Sequence, residues 1–201
     1  MKFRTLVADC PWSFNDDLPS YGKGSSFGAR GAAGHYDCMT ASDLEKIPLP
    51  NMEDDAFLFF WKVAAMPEEA YRIIRAWGFT PKSEIIWVKK TKKGNRHFGM
   101  GRYTRAEHET CIIATRGSAH KFIKAKNIRS CFEAPTEGHS AKPAAFYNLI
   151  EQLTPGPYVE LFARKQRPGW SCLGNAVCEG EDIRDSIKKL NSVDILNIVN
   201  G

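Results

Sequence analysis

The stretch Thr5-Leu6-Val7-Ala8-Asp9-Cys10-Pro11-Trp12 decides the fold of this chain, because a short apolar run ends there in an acid, a proline and an aromatic residue. The run Leu6-Val7-Ala8 predicts a buried strand. Pro11 cannot continue a central strand, and Cys10 before it is restricted to extended geometry. The sequence therefore predicts a rigid turn at the C-terminal end of a strand, where open α/β sheets bind their ligands.

This turn has the groups needed to bind an aromatic amine. The Asp9 carboxylate and the main-chain carbonyl of Cys10 are acceptors for the two N–H groups of an amine, and the Trp12 ring offers a surface for stacking. The same four residues also fit an ordinary Asp-x-Pro turn with no chemistry. The rest of the chain has to distinguish the two interpretations.

Composition predicts one ordinary globular domain inside a reducing compartment. The chain has 201 residues, of which 43% are hydrophobic and 25% charged, and this length supports a sizeable core. The six cysteines form no Cys-x-x-Cys pair and no zinc-finger spacing, so we expect reduced thiols and no metal. We see no signal peptide and no membrane-spanning run, so we expect a cytoplasmic protein. The net charge of +5 permits nucleic-acid binding without requiring it.

Alternating strand and helix patterns predict an α/β fold. Ala56–Trp61 is a continuous apolar run typical of a strand buried on both faces, and Glu84–Val88 predicts another strand. Between them, Pro67 and the acids after it predict a helix that Gly78 ends. This order predicts a right-handed crossover with the two strands paired in parallel. Further strands are predicted at His108–Ala114, Tyr158–Phe162 and Gly169–Leu173, and an amphipathic helix from Phe146 to Leu153.

We find no repeat and no domain boundary, so residues 1–201 are expected to form a single domain. The glycine-rich segment 13–35 is interpreted as a mobile lid over the turn, with an insertion of no function as the alternative. Residues 179–201 are predicted to be a weakly helical, peripheral tail. The pattern at 118–137 does not predict an order of elements.

A basic loop follows the strand at Glu84–Val88. It could contact nucleic-acid phosphates, or it could be a solvated loop without a partner. Its candidate substrate-binding residues are Lys89, Lys90, Lys92, Lys93 and Arg96.

Four motifs in order resemble the MT-A70 family of adenine amino-methyltransferases. They are Asp9-Cys10-Pro11-Trp12, Glu84-Ile-Ile-Trp87-Val-Lys89, His139-Ser-Ala-Lys142-Pro143, and Glu160-Leu-Phe-Ala-Arg164 with Arg167-Pro168-Gly169-Trp170 and Gly174-Asn175. The resemblance covers about residues 5–177. It is closest to short members of prokaryotic and phage type.

The resemblance implies a Rossmann-like methyltransferase fold: a single, mostly parallel sheet with helices on both faces and a permuted motif order. It implies S-adenosylmethionine as the methyl donor, held by Asp9, Lys142, Glu160, Phe162, Arg164 and Asn175. Glu160, at the end of a late strand, would bind the two ribose hydroxyls. From the residues alone, Glu160 and Arg164 could instead simply pair with each other.

The resemblance further implies a catalytic turn made of Asp9, Cys10, Pro11 and Trp12. The Asp9 carboxylate and the Cys10 carbonyl would accept the N–H bonds of the target amine, and Trp12 would stack on its base. Tyr36 aligns with a family tyrosine that lies near the target base. Two departures are visible: Cys10 replaces a proline, and eight residues precede Asp9 where relatives use an upstream segment to bind the donor's adenine.

The sequence therefore predicts an S-adenosylmethionine-dependent N(6)-adenine methyltransferase. DNA is the preferred substrate, because short members of this type look prokaryotic or viral, and RNA is the alternative. A different class, an inactive nucleic-acid-binding partner subunit, is disfavoured because Asp9, Lys142, Glu160 and Asn175 are all present. The oligomeric state is not predicted.

Overall fold

A computed structural model of the chain describes residues 1–13, 38–100, 103–136 and 141–199. At its centre lies strand β1 (Phe3–Ala8), which pairs in parallel with β2 (Met52–Lys62) on one side and β8 (Tyr158–Leu161) on the other. The strand predicted at Leu6-Val7-Ala8 is confirmed, and all three residues are fully buried.

Of the remaining strands, four complete the main sheet and two lie outside it. They are β3 (Thr80–Lys90), β4 (Gly99–Met100), β5 (Arg105–Ala106), β6 (His108–Arg116), β7 (Cys131–Pro135) and β9 (Trp170–Leu173). Across the described residues the order is β7-β3-β6-β2-β1-β8-β9, and β4 and β5 form a separate two-stranded ribbon. Within that sheet β6 runs antiparallel to both of its neighbours, and the other neighbours are parallel. The predicted mostly parallel sheet is confirmed.

The predicted parallel pairing of β2 with β3 is wrong. The two strands are not neighbours, because β6 lies between them in the sheet and runs in the opposite direction to both. Phe60 of β2 pairs with Ile112, and Ile85 of β3 pairs with Cys111. An apolar run predicts that a strand is buried but not which way it runs, so the insertion of β6 could not be predicted from the sequence.

Helices cover both faces of the sheet, as predicted. They are α1 (Ala41–Glu45), α2 (Pro67–Ala76), α3 (Ala144–Leu153) and α4 (Ile183–Val199), with a short 3-10 helix at Ala119–Phe122. Alternate residues of β2 point to opposite faces, so Leu58 and Phe60 pack with α1, α2 and α4, whereas Phe59 and Trp61 pack with α3. The two sides of the sheet therefore have separate apolar cores.

Local capping explains where two of these helices begin or end. The Thr40 side chain accepts a hydrogen bond from the Asp43 N–H at 3.2 Å and so caps α1. Helix α2 begins at Pro67, as predicted, and the chain leaves it through Gly78, whose φ of +79° suits a residue without a Cβ.

The C-terminal segment is not peripheral throughout, contrary to the prediction for residues 179–201. Ile183 and Ile187 of α4 are buried in the same core as α2. Farther along, the Asn191 side chain accepts a hydrogen bond from the Asn51 N–H at 2.8 Å. The first half of α4 is therefore part of the packed domain.

The predicted lid at 13–35 falls almost entirely outside the described residues, and so does Tyr36. Among the helices that the structure describes, none is both long enough and apolar enough to span a membrane.

Candidate active site

The C-terminal ends of three parallel strands meet at one edge of the sheet and form a cleft. Residue Val7 of β1 lies opposite Glu160 of β8, and Glu160 lies opposite Cys172 of β9, so the turns after these strands are neighbours. The cleft has a larger cavity of about 180 Å³ and a smaller one of about 30 Å³. Asp9, Phe162 and Arg164 line both cavities, which makes them two parts of one site.

The turn after β1 is held in place by Met39, which follows the undescribed segment in sequence. The Pro11 carbonyl accepts the Met39 N–H at 2.8 Å, and the Ser13 N–H donates to the Met39 carbonyl at 2.9 Å. The Cys10 carbonyl accepts the Trp12 N–H at 3.0 Å, which leaves its second lone pair for another donor. Asp9 is therefore presented on a backbone that is fixed on both sides.

Four side chains of alternating charge form a row of ion pairs that begins at Asp9. The Lys142 ammonium lies 2.7 Å from Asp9 Oδ2 and 3.2 Å from Glu109 Oε2, and the Lys89 ammonium lies 2.7 Å from Glu109 Oε1. The Lys142 side chain is 7% exposed and also lies over the Trp61 ring. Lys142 is therefore a buried cation in direct contact with the carboxylate at the end of β1.

These contacts decide the charge states of Lys142 and Glu109. Burial by itself would lower the pKa of the Lys142 ammonium, but the Asp9 and Glu109 carboxylates outweigh burial and raise the pKa above its ordinary value. Burial likewise acts to raise the pKa of Glu109, and the Lys142 and Lys89 ammonium groups outweigh it and lower the pKa. Both residues are therefore charged at neutral pH.

Glu160 is buried and has a partner on the helix above it. The Tyr147 hydroxyl of α3 donates to Glu160 Oε1 at 2.6 Å. Desolvation by burial raises the pKa of Glu160 to about 7, although the Tyr147 hydrogen bond and the nearby Arg167 guanidinium act in the opposite direction. Burial and the Glu160 charge raise the pKa of Tyr147, so its hydroxyl keeps its proton and remains a donor.

The floor of the cleft is made by two closely packed turns. Phe162, directly after β8, has a φ of +62°, a sparsely populated conformation for a non-glycine residue that often marks a functional site. Gly174, after β9, lies so close that a Cβ there would be 2.5 Å from the Ala163 carbonyl oxygen. Any larger residue at 174 would push the two turns apart.

The other residues predicted to bind the donor lie around this floor. Lys142 lines the smaller cavity, and Asn175 lines the larger one. The structure therefore brings all six predicted donor-binding residues to the same cleft.

Trp12 occupies a different place from the one its predicted role requires. Its ring is 4% exposed and packs edge-on against Phe60, with 5.8 Å between the ring centroids. A ring buried in this way offers no face on which a base could stack. In this conformation Trp12 supports the turn from the core side, so the predicted stacking role is not supported.

The predicted substrate-binding lysines and arginine divide into two groups. Lys89, Lys90 and Arg96 are paired with carboxylates, namely Glu109 at 2.7 Å, Glu133 at 3.0 Å and Glu107 at 2.8 Å respectively. Lys92 and Lys93 are exposed. The exposed pair is thus better placed than the others to meet a phosphate.

Sequence reasoning missed three residues of this cleft: Glu109, Tyr147 and Arg167. Glu109 lies in β6, two residues before the buried Cys111, where an acid is out of place on a core-facing position. Tyr147 was hidden within an ordinary amphipathic helix pattern. Arg167 was quoted as part of a motif but was given no role. Within the described ranges, no group of three or more potential metal-ligating side chains occurs.

Comparison with known proteins agrees with this geometry. The sequence profile of the MT-A70 family matches residues 3–176. The zebrafish (Danio rerio) N(6)-adenosine-methyltransferase subunit METTL3 is 30% identical over 180 residues, which cover 87% of this chain and 28% of that protein. The type II methyltransferase M.MunI of a Mycoplasma species is 25% identical over 185 residues, covering 86% of this chain and 77% of that protein.

A further relative is the human N(6)-adenine-specific methyltransferase METTL4, 24% identical over 198 residues, which cover 90% of this chain and 39% of that protein. The chain therefore spans less than a third of the METTL3 relative and well under half of METTL4. The range matched by the profile contains the turn at Asp9, the Lys142 contact and all strands of the main sheet. On these grounds the chain, with its Rossmann-like methyltransferase sheet, belongs to the MT-A70 family.

Proposed function

We propose that the chain transfers a methyl group from S-adenosylmethionine to the exocyclic 6-amino group of adenine in DNA. The observation that carries this proposal is the meeting of Asp9 and Glu160 in one cleft, with the Lys142 ammonium 2.7 Å from Asp9. Support also comes from the relatives, which are named as adenine or adenosine methyltransferases.

The cleft suits an elongated donor that has a nucleoside at one end and an amino acid at the other. One Glu160 oxygen is bonded to Tyr147, and the other can accept hydrogen bonds from ribose hydroxyls. Phe162 and Arg164 line both cavities, and Asn175 lines the larger one. When bound, the donor supplies an electrophilic methyl group on a positively charged sulfur.

Asp9 and Cys10 would orient the target amine. The lone pair of an aromatic amine is delocalised into the ring, so the nitrogen becomes a better nucleophile when two acceptors hold its N–H groups. Lys142 is bonded to Oδ2 of Asp9, which leaves Oδ1 for one N–H, and the Cys10 carbonyl is available for the other. Holding the nitrogen in line with the carbon–sulfur bond lowers the barrier further.

The exposed end of the basic loop is the proposed contact for the nucleic-acid backbone. Lys92 and Lys93 are exposed there, and the Tyr103 and Phe98 rings of the same loop are 93% and 54% exposed. Exposed rings among cations suit an unpaired base beside a phosphate. An adenine inside a duplex would have to be flipped out to reach Asp9.

Two observations bear on the choice of nucleic acid. The chain covers 77% of M.MunI, a type II methyltransferase of comparable size, which favours DNA. RNA is the second candidate, because the METTL3 relative is named an adenosine methyltransferase. A catalytically inactive partner subunit would not need the complete set of Asp9, Lys142 and Glu160.

The test is to incubate the purified chain with S-adenosylmethionine labelled in its methyl group and, separately, with DNA and RNA pools. We expect label in the adenine of DNA. Label in RNA alone would make RNA the substrate. No label in either pool, with a correctly folded chain, would favour the inactive partner.

A further inference from the structure

Arg167 occupies a position at the smaller cavity that no predicted role explains. It lies in the turn between β8 and β9 and lines this cavity together with Asp9, Lys142 and Glu160. Its guanidinium carbon is 3.4 Å from the centroid of the Tyr147 ring, so the guanidinium is stacked on the face of that ring. Stacking fixes the plane of a guanidinium and leaves the N–H groups at its edge available for a ligand.

One donor of this guanidinium is not used by the described residues. Its Nε–H is buried and has no hydrogen-bond partner among them. A buried donor left without a partner is costly, so such an atom at a cavity wall indicates a ligand that supplies the acceptor. A guanidinium presents its donors in a planar fork that matches the two oxygens of a carboxylate.

The other buried cation at this cavity is already occupied. The Lys142 ammonium is shared between Asp9 and Glu109, at 2.7 and 3.2 Å. It would have to give up a carboxylate of the protein to bind one from a ligand. Among the described residues the Glu160 carboxylate lies near Arg167, but no acceptor meets the Arg167 Nε–H.

We propose that Arg167 binds the carboxylate at the amino acid end of the methyl donor. This inference rests on the proposed function. It goes further by matching the charges around the smaller cavity to the charges of the donor. The donor carries positive charge on its sulfur and its ammonium group and negative charge on its carboxylate. Asp9 faces the positive part, and Arg167, held on Tyr147, takes the negative end.

The test compares two nucleosides that differ in the amino acid part. S-Adenosylhomocysteine has the carboxylate, whereas 5′-methylthioadenosine keeps the nucleoside and the sulfur but lacks the carboxylate. Binding of both to the full-length chain is measured by calorimetry, for wild type and for Arg167→Ala. We expect the variant to bind S-adenosylhomocysteine about 10- to 100-fold more weakly and 5′-methylthioadenosine within about twofold of wild type.

Two further variants serve as controls. Lys126→Ala removes the same charge at an exposed position that lines neither cavity, and we expect it to bind both nucleosides as wild type does. If Arg167→Ala does not fold, Arg167→Lys gives the answer, because it keeps the charge but loses the planar fork. It should show a smaller loss, again confined to S-adenosylhomocysteine.

Equal losses for both nucleosides, or no loss for either, would overturn the assignment of Arg167. That result differs from failure of the proposed function, in which the wild-type chain itself would bind neither nucleoside.

Discussion

The Lys142 ammonium lies 2.7 Å from Asp9 Oδ2 and approaches it from the interior of the protein. It comes from the segment before α3, on the face of the sheet opposite α2, so two distant parts of the sequence meet at the end of β1. The contact occupies one carboxylate oxygen and leaves the other outside this ion pair, and Asp9 lines both cavities of the cleft. Asp9 is thereby fixed in orientation and kept available as an acceptor.

Removing this cation should destabilise the protein. In Lys142→Met the Asp9 and Glu109 carboxylates would face each other without the charge between them, and losing one member of a buried ion pair typically costs about 3 kcal/mol or more. Urea denaturation measures the free energy of unfolding. Lys89→Met is the matched control, since Lys89 is more exposed than Lys142 and, of Asp9 and Glu109, contacts only Glu109. Equal losses in the two variants would show that Lys142 is an ordinary surface pair.

Tyr147→Phe should change how donor binding depends on pH. The Tyr147 hydrogen bond favours the charged form of Glu160, so its loss should raise the pKa of Glu160 above the wild-type value of about 7. Donor affinity should then begin to fall at a higher pH in the variant than in wild type as the solution is acidified. The groups facing Glu160 are Tyr147, Asp9, Lys142, Arg167 and Cys172. Calorimetric titrations between about pH 6 and pH 9, a range that brackets neutrality, measure the shift, and pH profiles that coincide would contradict the role of the hydroxyl.

Glu160 should also make the free protein less stable as pH rises. Its pKa in the folded protein is raised from 4.5 to about 7, so the folded state holds this proton more tightly than the unfolded chain. The contribution of Glu160 to stability is therefore favourable below pH 4.5 and is lost as pH rises through about 7. In Glu160→Gln this loss should disappear, which thermal unfolding at a series of pH values measures. An unchanged pH dependence would show that Glu160 has an ordinary pKa.

Salt dependence should show whether the exposed lysines of the basic loop contact the phosphates of DNA. Replacing Lys92 and Lys93 by serine should reduce the slope of log K against log salt for duplex DNA by up to about 2, near 0.9 for each lost phosphate contact. Replacing Lys121 and Lys126 removes two exposed charges beyond the opposite end of β6 and should leave the slope unchanged. Equal slopes in all three proteins would make the loop a solvated surface.

Trp12 should behave as a core residue. Trp12→Ala removes a ring that is 4% exposed and packed against Phe60, and truncating such a ring costs about 3–5 kcal/mol of unfolding free energy. Trp12→Phe keeps an aromatic ring in the core and should retain methyl transfer close to that of wild type. If Trp12→Phe is fully stable but loses most of its activity, the indole contacts the base after all.

The features that the sequence predicted well are those set by local patterns. The apolar run at Leu6–Ala8, the acid after it and the proline at 11 define a strand and its end without reference to the rest of the fold. Pro67 and Gly78 likewise mark α2 because backbone restrictions act locally. Glu160 was assigned through the resemblance to the MT-A70 family, since the residues alone left a simple pairing with Arg164 open.

What the sequence could not predict depends on contacts between distant residues. The direction of β6 is decided by how the chain returns to the sheet, which no apolar run encodes. The Lys142–Glu109 contact joins residues 33 positions apart in sequence (142 − 109) on different elements. The sequence around Trp12 reads the same whether its ring faces the core or the cleft. The packing of the ring against Phe60, a residue distant in sequence, decides between the two positions.

The central claim is that the turn at Asp9 transfers a methyl group to an adenine amine, and one measurement tests it directly. Purified wild type, Asp9→Asn and Asp9→Ala are incubated with S-adenosylmethionine and adenine-containing DNA, and N(6)-methyladenine is quantified by mass spectrometry. We expect activity to decrease in that order, with Asp9→Ala at least about 100-fold below wild type, the scale of losing one pre-aimed polar group. DNA affinity should change little, because phosphate contacts dominate it. An Asp9→Ala variant that is folded and as active as wild type would contradict the account.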